Sequence, residues 1–127
     1  MTMNRRYDHR VAVDMFLTEF VNDRPRRAFA SNVSERGLTV ARALGPVDRP
    51  TPVVQVEFRL PGTNDTIWAA GEVRYDALDP YFHSSGLFLY AIARPQATLL
   101  RDYVMQMRTH HLRDVLERIR QRRLQMN

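Results

Sequence analysis

The sequence predicts a mainly β fold, a small antiparallel barrel or sandwich of six or seven strands followed by one long C-terminal α-helix. Three observations predict it. Short segments with alternating apolar and polar residues recur over residues 11–92 at roughly ten-residue spacing. Clusters of Gly, Pro, Asn and Asp separate them, and these residues favour the backbone conformations of turns. Residues 96–125 then contain neither Gly nor Pro and carry apolar residues every three or four positions. The chain divides accordingly into an arginine-rich arm (1–10), a barrel (11–95) and a helix (96–127).

Taken in order, Val11, Val13, Met15 and Leu17 alternate as a first strand running to Phe20. Asn22-Asp23-Arg24-Pro25 reads as a turn, because Asn and Asp tolerate left-handed backbone and Pro fixes φ. Arg26–Ser31 is the returning strand, interrupted by 32–37, and Leu38–Leu44 the third. Pro46, Pro50 and Pro52 make 45–52 a rigid loop, since each removes a ladder donor. Val54, Val56, Phe58 and Leu60 share one face of a fourth strand, and Pro61–Asp65 is a hairpin connection to a fifth, Thr66–Tyr75. Asp76–Ser85, with Pro80, reads as a loop before a last strand, Gly86–Ile92. Pro95 suits a helix start. Leu100, Val104, Met107, His111, Val115 and Ile119 then predict one apolar stripe, flanked by Leu99, Tyr103, Leu112 and Leu116, on a helix about 45 Å long at 1.5 Å per residue. The barrel is too small to cover that length, so the arginine-rich end projects. Its stripe does not hold strict heptads.

The 127 residues suit a single core, and 44% hydrophobic with 26% charged residues is ordinary for a soluble globular protein. No run of about 18 apolar residues and no basic-then-apolar start is present, which leads to the expectation of a cytoplasmic protein. Zero Cys removes disulfides and thiolate chemistry. All 19 basic residues are Arg and the net charge is +5. Codon bias accounts for much of that usage, but Arg also forks onto phosphate and stacks on flat bases, so an acidic or nucleotide-like partner is favoured.

Two stretches carry chemistry. Arg5, Arg6 and Arg10 place three guanidiniums within six residues, directly before the first strand. Asn32-Val33-Ser34-Glu35-Arg36-Gly37 stands between the second and third. Each alone is weak: the first is a solvated basic arm, the second a turn in which Asn and Ser bond to backbone and Gly supplies positive φ. Together, in this order on a small barrel, they resemble the RxxxR arm and the [D/N]xSxxG turn of the PilZ domain, the bacterial receptor for cyclic di-GMP (c-di-GMP). Gly86-Leu87-Phe88 is similar to that family's closing Gly-x-Phe strand, and the resemblance covers about residues 4–105.

The resemblance implies a PilZ-type six- to seven-stranded barrel and a c-di-GMP site formed by Arg6, Arg10, Asn32 and Ser34, with Gly37 letting the backbone turn. Arg10 and Arg6 suit phosphate oxygens or guanine O6 and N7, while Asn32 can both donate and accept at a guanine edge. Arg5, just before the motif, implies an intercalated ligand dimer, two molecules per site. Arg36 is a further candidate for a phosphate contact. The expected role is a receptor or adaptor that changes conformation on binding and signals to a protein partner in motility, pili, exopolysaccharide or transcription control. The alternative is a degenerate PilZ adaptor that binds proteins and no nucleotide.

Other readings are weaker. His110 and His111 point about 100° apart on a helix, which does not make a metal pair. Trp68 reads as core or rim packing. No catalytic arrangement has supporting context, so the chain is not expected to be an enzyme or to need a cofactor beyond its ligand. Nucleic-acid binding by the tail is opposed by Asp114 and Glu117. The uncovered helical stripe favours docking to a partner or self-association.

Overall fold

A computed structural model describes residues 10–43 and 52–126. The arm with Arg5 and Arg6, and nearly all of the predicted 45–52 loop, lie outside the described residues. Six antiparallel strands, β1 (Val11–Val21), β2 (Arg24–Val33), β3 (Gly37–Ala43), β4 (Val53–Arg59), β5 (Thr66–Leu78) and β6 (Phe82–Ile92), precede one helix, α1 (Arg94–Met126). They close into a barrel in the order β1-β2-β3-β6-β5-β4, with β1 paired to both β2 and β4. Closure leaves no open sheet edge.

The alternation of β1 sends Val11, Val13, Met15 and Leu17 inward, where they meet Val33, Leu38, Val40, Val56, Phe58, Ile67 and Leu87. The β1–β2 connection is tighter than the four-residue turn expected. Asn22 and Asp23 both take positive φ, 53° and 63°, and Val21 pairs directly with Arg24, so the loop has only two residues. Arg24 and Pro25 already belong to β2.

The largest departure from expectation is Asp76–Ser85, which is not a loop. β5 continues through Leu78 and β6 begins at Phe82, leaving a connection of Asp79–Tyr81. The Asp79 carboxylate accepts from the Tyr81 and Phe82 amides at 2.7 and 2.6 Å and closes that turn. The segment looked like a loop because its inward positions are polar. His83 and Ser85 are buried, as are Glu19 of β1 and Arg42 of β3. Arg42 forks onto Glu19 with Nε and Nη2 each at 2.8 Å, and its Nη1 reaches Ser85 Oγ at 3.0 Å and His83 Nδ1 at 3.2 Å. Because guanidinium only donates, His83 Nδ1 accepts there, and His83 Nε2 donates to Asp76 at 2.8 Å. Ser85 Oγ donates to the same Asp76 oxygen at 2.6 Å. The network therefore stitches β1, β3, β5 and β6.

The helix closes the barrel with Leu100, Tyr103 and Val104, all buried, and with half-buried Met107. Burial also pushes the Tyr103 phenol above its ordinary value of 10.0. At the helix start, the Trp68 amide donates to Gln96 Oε1 at 2.8 Å. Trp68 itself is no core residue: it is half exposed on the outer wall, its ring stacked on Phe20 with centroids 6.0 Å apart. The apolar residues of α1 form two faces, not the single stripe expected. At about 100° per residue, Leu100, Tyr103, Val104 and Met107 lie on the barrel side, whereas Met105, Leu112, Leu116 and Ile119 lie roughly 130° around the helix. Beyond Met107 the helix projects, as expected, and Leu112, Leu116 and Ile119 are exposed.

Candidate functional site

The two motifs meet where β1 begins and the β2–β3 turn lies, and the polar network adjoins that region through Asp76 and Ser85, next to Tyr75 and Gly86. β1 and β2 run antiparallel, with Val11 opposite Val33, which brings Arg10, at the foot of β1, beside the end of β2. The register slips on both sides of Asn32: between Ala12 and Met15 in β1, and between Ala30 and Asn32 against β3. Such bulges re-aim side chains. Asn32 ends up opposite Ala12 on one side and Thr39 on the other. Arg10 Nη1 then donates to Asn32 Oδ1 and to Thr39 Oγ1, each at 3.0 Å. These contacts fix the Asn32 oxygen as an acceptor for Arg10 and leave its amide NH2 to address something else. Thr39 was missed by the sequence reading. Its signal was the hairpin register, since a residue directly across from Asn32 shares its face.

Ser34 and Gly37 close the β2–β3 turn. The Ser34 amide donates to the Gly37 carbonyl at 2.8 Å, and the Ser34 side chain is fully buried with Oγ 3.5 Å from the same carbonyl. Ser34 thus faces the turn. Gly37 was expected to let the backbone turn; it takes no left-handed φ, and among the described glycines only Gly62 does. Space is its reason: a Cβ there would stand 3.1 Å from Ser34 Oγ and 3.2 Å from the Leu87 carbonyl, and 3.7 Å from the Arg10 guanidinium. Arg36 is exposed at the tip of the turn, where its carbonyl accepts from the Leu89 amide at 2.7 Å and anchors the turn on β6.

A cavity of about 670 Å³ opens at this end, lined by Arg10, Arg36, Gly37, Arg74, Tyr75, Gly86, Leu87 and Phe88. Three of these residues are Arg, and no carboxylate is among the lining residues. The Arg74 guanidinium lies over the Phe88 ring, 4.7 Å from its centroid, and a side chain on Gly86 would run into the Tyr75 ring. Arg74 and Tyr75 were not anticipated as site residues; they lie within the predicted fifth strand, but its alternation does not show that they meet Gly86 and Phe88 of β6. The cavity offers positive charge, offset in part by Glu72 at 3.1 Å from Arg74, and flat ring surfaces, which suits an anion bearing planar rings. A second cleft of about 470 Å³ on the outer wall mixes Asp14 and Glu57 with Arg27 and Arg59, so its charges cancel and it lacks this bias. Among the described residues no cluster of His and carboxylates could hold a metal ion.

No family model and no curated protein matches the chain in sequence. Solved structures do match its fold. The Bacillus subtilis inhibitor of motility MotI/DgrA superposes with a TM-score of 0.74 at 20% identity, over 85% of this chain and 53% of that one, so the chain spans about half the length of that protein. The PilZ domain of Escherichia coli YcgR with c-di-GMP gives 0.63 at 12% identity, over 87% of this chain and 97% of that one. The Borreliella burgdorferi PlzA protein in complex with c-di-GMP gives 0.54 at 14% identity, over 80% and 41%. Six antiparallel strands closed in this order, with a helix packed on the barrel, give this chain the PilZ fold.

Proposed function

We propose that the chain is a PilZ-type receptor for c-di-GMP, acting by binding and not by catalysis. The observation that carries the reading is the Arg10–Asn32–Thr39 cluster beside a cavity lined by three Arg residues. In this reading Arg10 contacts phosphate or guanine, and Asn32 turns its amide to a guanine edge. Gly37 and Ser34 hold the turn in shape, and Arg36 adds a phosphate contact. Arg5 and Arg6 close from the arm, and Arg5 supports an intercalated ligand pair. Two of the structurally similar proteins were solved with c-di-GMP, which supports the choice of ligand. Ligand binding changes the surface offered to a protein partner.

Calorimetric titration tests it. Wild type binds c-di-GMP, and Arg10→Ala weakens binding by about 2 kcal/mol, on the order of thirtyfold, because a charge-assisted fork is lost. A fitted ratio of two ligands per chain supports the role given to Arg5, and a ratio of one removes it. Equal affinities for wild type and Arg10→Ala would displace the site from this end of the barrel.

A further inference from the structure

An exposed seam that the barrel does not use runs along α1 from Met105, on the side facing away from the barrel, into the projecting half. Met105, Leu112 and Ile119 recur every seven residues and are 56%, 57% and 47% exposed, with Leu116 beside them. A seven-residue repeat keeps one narrow line of side chains against a neighbouring helix. A bilayer surface demands a far wider apolar face, and Arg101, Arg108 and Arg123 fall within this one. Over residues 108–123 there are six Arg against Asp114 and Glu117. Those two carboxylates lie near His110 and Arg120, at 3.9 and 3.8 Å. Among the described residues no carboxylate lies within ion-pair distance of Arg108, Arg113, Arg118, Arg122 or Arg123. A second copy of this helix, in either direction, brings Arg against Arg along the seam, and like charges so placed oppose pairing.

We infer that the exposed seam of α1 docks one amphipathic helix of a partner protein, with an apolar stripe flanked by Asp and Glu. Apolar contact along the seam supplies the register. The unmatched arginines supply the sign of the partner's charge and speed its approach.

The experiment uses the full chain and a labelled synthetic peptide of three heptads, with Leu on its seam and Glu flanking it, read by fluorescence anisotropy. The peptide binds, and a scrambled peptide of the same composition binds at least tenfold more weakly. Leu112→Ser/Ile119→Ser lowers affinity for the ordered peptide at least tenfold with an unchanged melting temperature, because both side chains are exposed. Equal binding of ordered and scrambled peptides overturns the proposal, since charge alone would then account for it. So does no binding at about 100 µM chain. Phosphatidylglycerol vesicles that bind wild type and are lost with the double substitution would make a lipid surface the occupant. A dimer of wild type that becomes a monomer in the variant would make it a second copy. Either result overturns the acidic helix.

Discussion

At the scale of single residues, the site depends on one side chain being absent. A Cβ on Gly37 would press on a backbone carbonyl, that of Leu87, which cannot rotate away as a side chain could. Gly37→Ala is therefore expected to destabilise the fold by about 1–2 kcal/mol, read by urea unfolding, and to weaken c-di-GMP binding as the turn shifts under Arg10 and Ser34. An alanine variant as stable as wild type would mean that the turn has slack. The buried ion pair gives a second prediction. Arg42→Met leaves the buried Glu19 carboxylate with only the partly exposed Arg26, at 3.3 Å, at a cost of up to about 3–5 kcal/mol, whereas Glu19→Leu/Arg42→Met removes the buried pair and recovers most of it. If the double substitution is as damaging as the single one, the network contributes through its bonds to Ser85 and His83 and not through charge balance. Arg10, Asn32 and Gly37 were legible in the sequence because the two short patterns occur in order on a strand-rich chain. Thr39, Arg74 and Tyr75 were not, because each owes its place to register across a neighbouring strand.

Among the elements, those with an apolar interior were readable. β1 and β4 alternate cleanly, and their bounds were found to within a residue or so. The β5–β6 hairpin was misread where its interior is polar: His83 and Ser85 occupy positions that periodicity expects to be apolar, and Asp79-Pro80 made the whole stretch look irregular. Glu19 is the same exception on β1, though four apolar neighbours carried that strand. The helix was found, but its two faces were merged because residues of both recur at three and four. Only the end over the barrel contributes to the core. Leu100→Ala is expected to cost about 2–5 kcal/mol, whereas ending the chain after Met107 leaves the midpoint of denaturation nearly unchanged. Comparable losses from the two changes would show that the projecting half packs against something within the chain. Tyr103 adds a pH signature. Its phenol is raised in the folded state by burial, so its contribution is fully present below pH 10.0 and is lost as pH rises through the higher folded value. Tyr103→Phe should flatten the alkaline fall in stability.

At the scale of the whole molecule, the barrel separates two kinds of polar chemistry. One set of charges satisfies itself inside the wall and ties four strands together. The other set is the arginines that line an open cavity, with Asn32 and Thr39 steering Arg10. An electrostatically biased mouth suits the anionic dinucleotide proposed as ligand, and α1 carries a separate exposed seam. Amide shift mapping on the labelled chain tests the central claim most directly. On adding c-di-GMP, the largest shifts should fall at Arg10, at 32–39, at Arg74 and Tyr75 and at 86–88, while 112–124 stays unchanged. No shifts at saturating ligand, or shifts confined to the β1–β2 hairpin turn or to the helix, would contradict it.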